Sequence, residues 1–347
     1  MAVLTPGSFT YAEWAERMDP DGKTSVLVNL LSQNNGILED CLAVECQNGN
    51  SFQFTQVVKL PAPSRRVYNQ GVVATMAAVA KQVVTTAEYG DWVKFDRSIA
   101  MLNGNLSELR SMELALHMEG TSQQVASDLF YANRATDPTQ FTGFANIYST
   151  VTTATSQIAA NVIDGGGTGS TNASMWLITW GPRHLHTIFP KGLPAGLYHK
   201  DYGDSIPLQD SSSNQYPGYQ DWIQWDVGVA VQDWRFGVRC CNIDVTLFGG
   251  GSAANLIEIL AAMVYKPPIM PAGVAPVQTS DSPDKLMMGR SAIYVNRSVY
   301  LALDLQAQNK TNILLKMDEW DGHVVLTYRG IPIRVVDALL TTESRVT

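Results

Sequence analysis

The sequence is poor in charge: Asp, Glu, Lys and Arg make up 16% of its 347 residues, against roughly 25% in a typical soluble domain. Apolar residues, at 45%, are ordinary, so Asn, Gln, Ser, Thr and Gly fill the gap. Such a surface suits a protein whose outer faces are covered by partners, because interface centres are depleted in charge. The charge that is present is unbalanced, with a net −8. That excess of carboxylates argues against a protein that grips nucleic acid, which needs clustered Lys and Arg. An acidic wall can still enclose DNA without sticking to it.

Cysteine is equally sparse. Of four, Cys240 and Cys241 are adjacent and point to opposite faces of a strand, while Cys41 and Cys46 lack CxxC spacing. All four read as reduced thiols of a cytosolic protein. No run of about 18 apolar residues occurs, and the opening MAVLTPGSFT lacks a basic stretch followed by an apolar core. The expectation is therefore neither export nor a membrane span.

Motifs with chemistry are also few. Gly249-Gly-Gly-Ser-Ala-Ala254 fits the loose GxGxxA form of a dinucleotide fingerprint, which would make the chain a nucleotide-binding oxidoreductase. The acidic strand end required about 20 residues later is replaced by Pro267, Pro268 and Pro271, so a flexible strand-to-helix loop is the better reading. Gly165 to Ser170 lacks the Gly-Lys-Ser/Thr ending of a P-loop and reads as an exposed loop. His184 and His186 are the only closely spaced histidines and have no further ligands at metal-site spacing, so local packing is expected. Asp318, Glu319 and Asp321 near His323 read as a solvated turn, and no GxSxG elbow exists. The expectation is no enzyme, no catalytic residue, no cofactor and no metal.

What is present is a sequence of elements. Thr10-Tyr-Ala-Glu13 is a capping box opening a short helix, stopped by Asp19-Pro-Asp-Gly22. A second helix is predicted over about Thr24 to Leu42, with Val26, Leu27, Leu30, Leu31, Ile37 and Leu38 on one stripe. The pair has too little apolar surface to stand alone and reads as an arm lying across neighbours. Ser51 to Leu60, with Phe52, Phe54, Val58 and Leu60 on one side, and Val79 to Thr86 form a two-stranded ribbon. Its Pro-rich, basic tip holds Arg65 and Arg66. An isolated hairpin is marginal in water, so this one should rest on another subunit.

Asn105 to Asn133 is the longest helical pattern, about 40 Å if continuous, with Gly120 as a point of kinking. Met175 to Trp180 reads as a strand, and Val229 to Asn242 as the clearest strand. On the latter, Trp234, Phe236, Val238 and Cys240 share one face and Asp233, Arg235 and Arg239 the other. That polar face is expected to meet partners, making Arg65, Arg66, Asp233, Arg235 and Arg239 the candidate intersubunit contacts. Helices follow at about Ser252 to Val264 and Ser291 to Gln308, and a closing hairpin turns at Gly330-Ile-Pro332.

The order of short motifs carries more information than any one of them. Trp180-Gly-Pro-Arg, Ile188-Phe-Pro-Lys-Gly192, Ala195-Gly196, His199-Lys-Asp201 and Gly218-Tyr219 are followed by Trp225-Asp-Val-Gly228, Gln232-Asp-Trp-Arg-Phe236 and Cys241-Asn-Ile-Asp244. Met288-Gly-Arg290, Tyr294-Val-Asn-Arg297, Gly330-Ile-Pro332 and Val336-Asp-Ala338 complete the series. This series resembles the major capsid proteins of tailed bacteriophages, of the epsilon15-like podovirus type, most specifically over residues 180 to 340.

The resemblance implies an α+β chain with the HK97-like capsid fold. Its parts would be an N-terminal arm over 1–44, an extended loop (E-loop) over 45–100, a peripheral domain with a spine helix over 101–150 and 311–347, and an axial domain over 151–310. It also implies self-assembly into hexamers and pentamers of an icosahedral virion head around double-stranded DNA, put together in the host cytoplasm. The implied partners are a separate scaffolding protein, a portal protein at one vertex and a decoration or cement protein. A cellular compartment shell of the encapsulin kind is the alternative that shares this layout.

Overall fold

The computed structural model describes residues 31–101, 106–154, 156–203, 206–210, 212–247, 255–268, 290–308, 315–320 and 323–347. In chain order it holds helix α1 (Ile37–Asp40), strands β1 (Ala43–Glu45), β2 (Ser51–Lys59), β3 (Ala78–Thr85) and β4 (Ala87–Asp96), then α2 (Arg97–Ala100), α3 (Leu106–Tyr131) and α4 (Phe144–Ile147). Next come β5 (Val162–Asp164), β6 (Asn172–Trp180), β7 (Leu185–Phe189), β8 (Leu197–Asp201), β9 (Ile206–Gln209), β10 (Gln215–Val231) and β11 (Gly237–Asp244). The chain closes with α5 (Leu256–Tyr265), β12 (Arg290–Val295), α6 (Arg297–Gln308), β13 (Leu315–Trp320), β14 (His323–Tyr328) and β15 (Ile331–Val335). Two compact units result. Among the described residues, the first takes those up to Gln33, within Glu88–Val125 and within Pro194–Val227, and the second takes the rest.

In the first unit β10 is the long organiser. It pairs antiparallel with β8, Asp221 opposite Asp201 and Trp225 opposite Leu197, and further back with β9. Alternation then sorts its residues. Tyr219 and Ile223 point into a core with Val93, Phe95 and Ala100, closed by Leu106, Leu114 and Met118 of α3 and by Leu197. Trp222 points to the opposite face, its ring 4.4 Å from Trp92. There it covers Gly90, where any Cβ would lie 2.3 Å from the indole. Helix α3 runs unbroken through Gly120, which is exposed. The continuous pattern of i→i−4 bonds on either side outweighs the ~1 kcal/mol that one glycine costs a helix.

The second unit is built around β6, whose nine residues are all buried. It lies between β12 and β11, both antiparallel to it, and β5 runs parallel to β11. A strand covered on both faces cannot alternate, which is why Asn172–Trp180 reads as a near-continuous apolar run. Helices α5 and α6 pack Leu256, Leu260, Met263, Val299 and Leu303 onto Met175, Leu177, Val238 and Ile293. Gly237 opens β11 because Tyr148 lies against it: a Cβ would sit 2.3 Å from the phenol oxygen of a fully buried ring. Gly237→Ala is therefore expected to lower stability by about 1–3 kcal/mol through overpacking, read as a shift in the denaturant midpoint of the free subunit.

Three expectations are corrected. The strand over Val229 to Asn242 is two strands, because Asp233 caps a 3₁₀ turn at Trp234–Phe236 by accepting from the Arg235 amide. The turn ends β10 at Val231 and restarts the ladder at Gly237, so 233 to 239 share no single polar face. The helix expected over Ser291 to Gln308 begins only at Arg297. Residues 290–295 form β12, whose Ala292–Val295 are buried in the sheet. The helix expected over Thr24 to Leu42 is not continuous in its described part: Ser32 to Asn34 are non-helical and only Ile37–Asp40 is helix. Its earlier portion, and the capping box at Thr10, lie outside the described residues.

Candidate assembly surfaces

The ribbon is the clearest candidate surface. β2 and β3 pair from Ser51 opposite Thr85 to Val57 opposite Val79, as expected. At its base Phe52 is buried and joins Cys46, Ile188 and Ala230 in a small cluster with Val44, Phe54 and Val84. The Gln56 amide adds bonds to the carbonyls of Val231 and Gln232, at 3.2 and 2.8 Å. Toward the tip packing stops. Every residue from Val57 to Val79 is exposed, and Tyr68, Met76 and Val73 are 91%, 87% and 83% exposed. Arg65 and Arg66 stand on this tip, exposed, as do Lys59 and Lys81 on its strands.

One signal in the sequence marks this segment further. From Cys46 to Ala87 there is no Asp or Glu, while Lys59, Arg65, Arg66 and Lys81 make it +4, so a chain of net −8 carries −12 on the remainder. A basic, apolar finger on an otherwise acidic subunit is complementary to other copies of that subunit.

The Asp233, Arg235 and Arg239 set does not stay together. Arg235, half-exposed, holds its neighbour Asp233 in a bidentate pair, Nε to Oδ1 at 2.9 Å and Nη2 to Oδ2 at 2.6 Å. Although burial pushes upward, these bonds hold the Asp233 carboxyl below the usual range. Arg239 is 4% exposed and is no surface contact at all. Its Nη2 donates to Glu343 at 2.8 Å and its Nη1 to the carbonyls of Tyr148 and Ala145, with the guanidinium 5.1 Å from the Trp176 ring. Tyr131 and Ser174 hydroxyls donate to the same carboxylate, at 2.6 and 2.5 Å. Period-two reasoning failed here because the 3₁₀ turn shifted the register by which Arg239 faces inward.

Two more polar hubs went unseen in the sequence. In the second unit the fully buried carboxylate of Asp40 meets Arg334 and Arg290 at 2.9 Å each and accepts from the Tyr294 hydroxyl at 2.9 Å, which in turn accepts from Trp180 at 2.7 Å. Burial raises the Asp40 pKa despite Arg334. In the first unit Arg110 on α3 clamps the buried Asp221 with Nε and Nη2 at 2.7 and 2.6 Å and also pairs with Asp201. Such partners lie far apart in the sequence, 111 residues for Arg110 and Asp221 and 254 for Asp40 and Tyr294, so no local pattern announces them.

The remaining motifs have packing roles. Gly165 and Gly167 lie along β11, donating to the carbonyls of Cys241 and Asn242 at 2.8 and 2.7 Å, where a Cβ would meet those carbonyls. The run is thus partly buried rather than a fully exposed loop. His184 stacks on Phe236 at 3.8 Å and His186 is buried. All four cysteines are free. Gly249 to Ala254 and Asp321, and the side chains of Asp318, Glu319 and His323, lie outside the described residues. Among those described, no cluster of three metal-ligating side chains occurs, and no helix is long and apolar enough to cross a membrane.

Comparison with known proteins places this architecture. The family model of major capsid protein GP7 matches residues 19–347. A chain from the structure of bacteriophage Epsilon15 is 29% identical, with each chain covered over 100% and a TM-score of 0.77. The bacteriophage JBD30 capsid is 10% identical over 91% of this chain and 96% of its own, at 0.45. The SrpI encapsulin of Synechococcus elongatus PCC 7942 is 10% identical over 69% and 97%, at 0.43. No curated protein matches the sequence.

Proposed function

From the premise that the chain belongs to the major capsid protein GP7 family, we propose that it forms the hexamers and pentamers of an icosahedral head enclosing double-stranded DNA. The chain is a phage major capsid protein of the HK97-like fold, and self-association is its basic activity. A role as structural shell rather than enzyme follows from that membership. The division into arm over 1–44, extended loop over 45–100, peripheral domain over 101–150 and 311–347, and axial domain over 151–310 is part of the same proposal. So are assembly in the host cytoplasm, a separate scaffolding protein, a portal at one vertex and a decoration protein.

The observation that carries this reading is the family match over nearly the whole chain, joined to a finger that buries almost nothing against its own subunit. The test is expression of the chain alone and with its neighbouring structural proteins, followed by electron microscopy and analysis of the particle's contents. Closed shells with packaged double-stranded DNA are expected. Shells filled with enzyme cargo would point instead to an encapsulin-like compartment.

Arg235 and Asp233 remain proposed as an intersubunit contact, since one exposed pair on a rigid turn recurs at every equivalent boundary of a shell. An exposed ion pair contributes roughly 0 to 1 kcal/mol. Arg235→Glu is accordingly expected to give folded subunits with little change in melting temperature that assemble poorly, measured by sedimentation. Parent-like assembly would remove this pair from the contact set.

A further inference from the structure

The finger joins the second unit at a buried histidine. His186 on β7 is 0% exposed, and neither ring nitrogen has a hydrogen-bond partner of good geometry. Its ring meets Phe52 of β2 edge-on at 5.1 Å, and in the ladder it lies opposite Ala230. Phe52 and Ala230 belong to the apolar cluster that fixes the finger's base. A neutral imidazole fits there as a flat, mostly apolar ring. An imidazolium does not, because two N–H donors and a charge would be left without partners.

We propose that His186 is an acid-sensitive latch: neutral, it holds the base of the finger against β7, and protonated, it lets that base go. No group around it is placed to receive the charge. Just before its own strand the nearest ionisable residue is His184, stacked on Phe236. From β1, Cys46 is a free thiol and Glu45 is exposed, accepting from the Gly192 amide at 3.0 Å. Past the end of β10, Asp233 is engaged by Arg235. β6 and the packed end of β10 contribute no ionisable residue, and β2 and β3 contribute only Lys59 and Lys81. The two carboxylates are thus engaged elsewhere, the other surroundings are neutral or cationic, and none is placed to stabilise an imidazolium.

Burial holds the His186 pKa down at about 4, with the nearby Gly181 backbone opposing only in part; the free side chain titrates near 6.5. The folded value lies below that of the released ring, so release binds a proton. The latch is closed above about pH 6.5, weakens as pH falls from there, and gains no further opening below about pH 4. Between those values the open fraction rises by about thirtyfold at pH 5.

Amide exchange of free subunits tests this at pH 7.5 and pH 5, after correction for the intrinsic pH dependence of exchange. Free subunits are used so that the outcome does not depend on shell formation. Wild-type residues 51–57 and 79–85 are expected to lose protection by about thirtyfold beyond that of β6, the fold-change set by a ring titrating near 6.5 when released. His186→Phe, which keeps a flat buried ring and cannot be protonated, is expected to hold its protection at both values. His186→Gln serves the same purpose if phenylalanine overpacks the site. Equal loss in wild type and variant, or unchanged protection in wild type, overturns the proposal. A His186 ring in the folded wild type that titrates near 6.5 by NMR overturns it as well.

Discussion

Glu343→Ala is expected to leave a subunit that barely folds. The carboxylate sits within hydrogen-bond distance of Arg239, Tyr131 and Ser174, and the two charged side chains are 5% and 6% exposed. Alanine removes the one counter-charge that the described residues give a buried guanidinium, and breaking one side of such a pair costs about 3–5 kcal/mol. That is comparable with much of the roughly 5–15 kcal/mol by which a domain is stable. Guanidinium denaturation of free subunits reads it directly.

A second variant separates charge from hydrogen bonding. Arg239→Met combined with Glu343→Leu removes the uncompensated charge, and replacing both members of a buried pair is often neutral. Here recovery is expected to be partial. The Tyr131 and Ser174 hydroxyls and the carbonyls of Tyr148 and Ala145 lose their partners, and each buried orphan costs about 1–3 kcal/mol. A single Glu343→Ala as stable as the parent would mean that water, not Glu343, satisfies Arg239.

The same hub shows where a sequence stops being readable. The ribbon, the long helix and β6 were visible because each is a local pattern: alternation, a 3.6-residue stripe, a run of apolar residues between turns. Tyr131, Ser174 and Arg239 come from α3, β6 and β11 and Glu343 from the segment after β15, and the sequence brackets none of them as a set. Arg239 looked like one of three charges on a strand face. Two cues were present in retrospect: Asp233 two residues before Arg235 is a cap as readily as a face partner, and Gly237 is a poor choice for the middle of a strand. β12 reads as helix in the sequence because Ser291-Ala-Ile-Tyr-Val295 continues into a true helical stripe, and a short apolar run carries no period of its own. The HK97-like fold to which these parts belong is carried instead by the ordered motifs between residues 180 and 340.

Removing Pro61 to Gly71 is expected to abolish shells while sparing the subunit. The bonds of the tip, Gln70 to Val67 and Thr75 to Ala62, stay within the finger, so the deletion takes away no hydrogen bond to the base or to the rest of the subunit. The fixing contacts at the base, Phe52, Phe54, Val84 and the Gln56 amide, are retained. Stability should therefore stay within about 0.5 kcal/mol, as for other changes remote from packed or hydrogen-bonded features. Assembly is a different matter. Shortening the finger withdraws its exposed apolar surface, including Val67 and Tyr68 at 69% and 91% exposure, and two of its four cations from every contact it makes in the shell. Sedimentation and electron microscopy should show soluble subunits or small oligomers and no closed particles. If the attraction is partly electrostatic, Arg65→Ser with Arg66→Ser should assemble at low salt and fail near 0.15 M, where charges more than about 8 Å apart are screened. Normal particles from the deletion would mean that the finger's tip is not an intersubunit contact, and would move the search to the base strands that the deletion leaves in place.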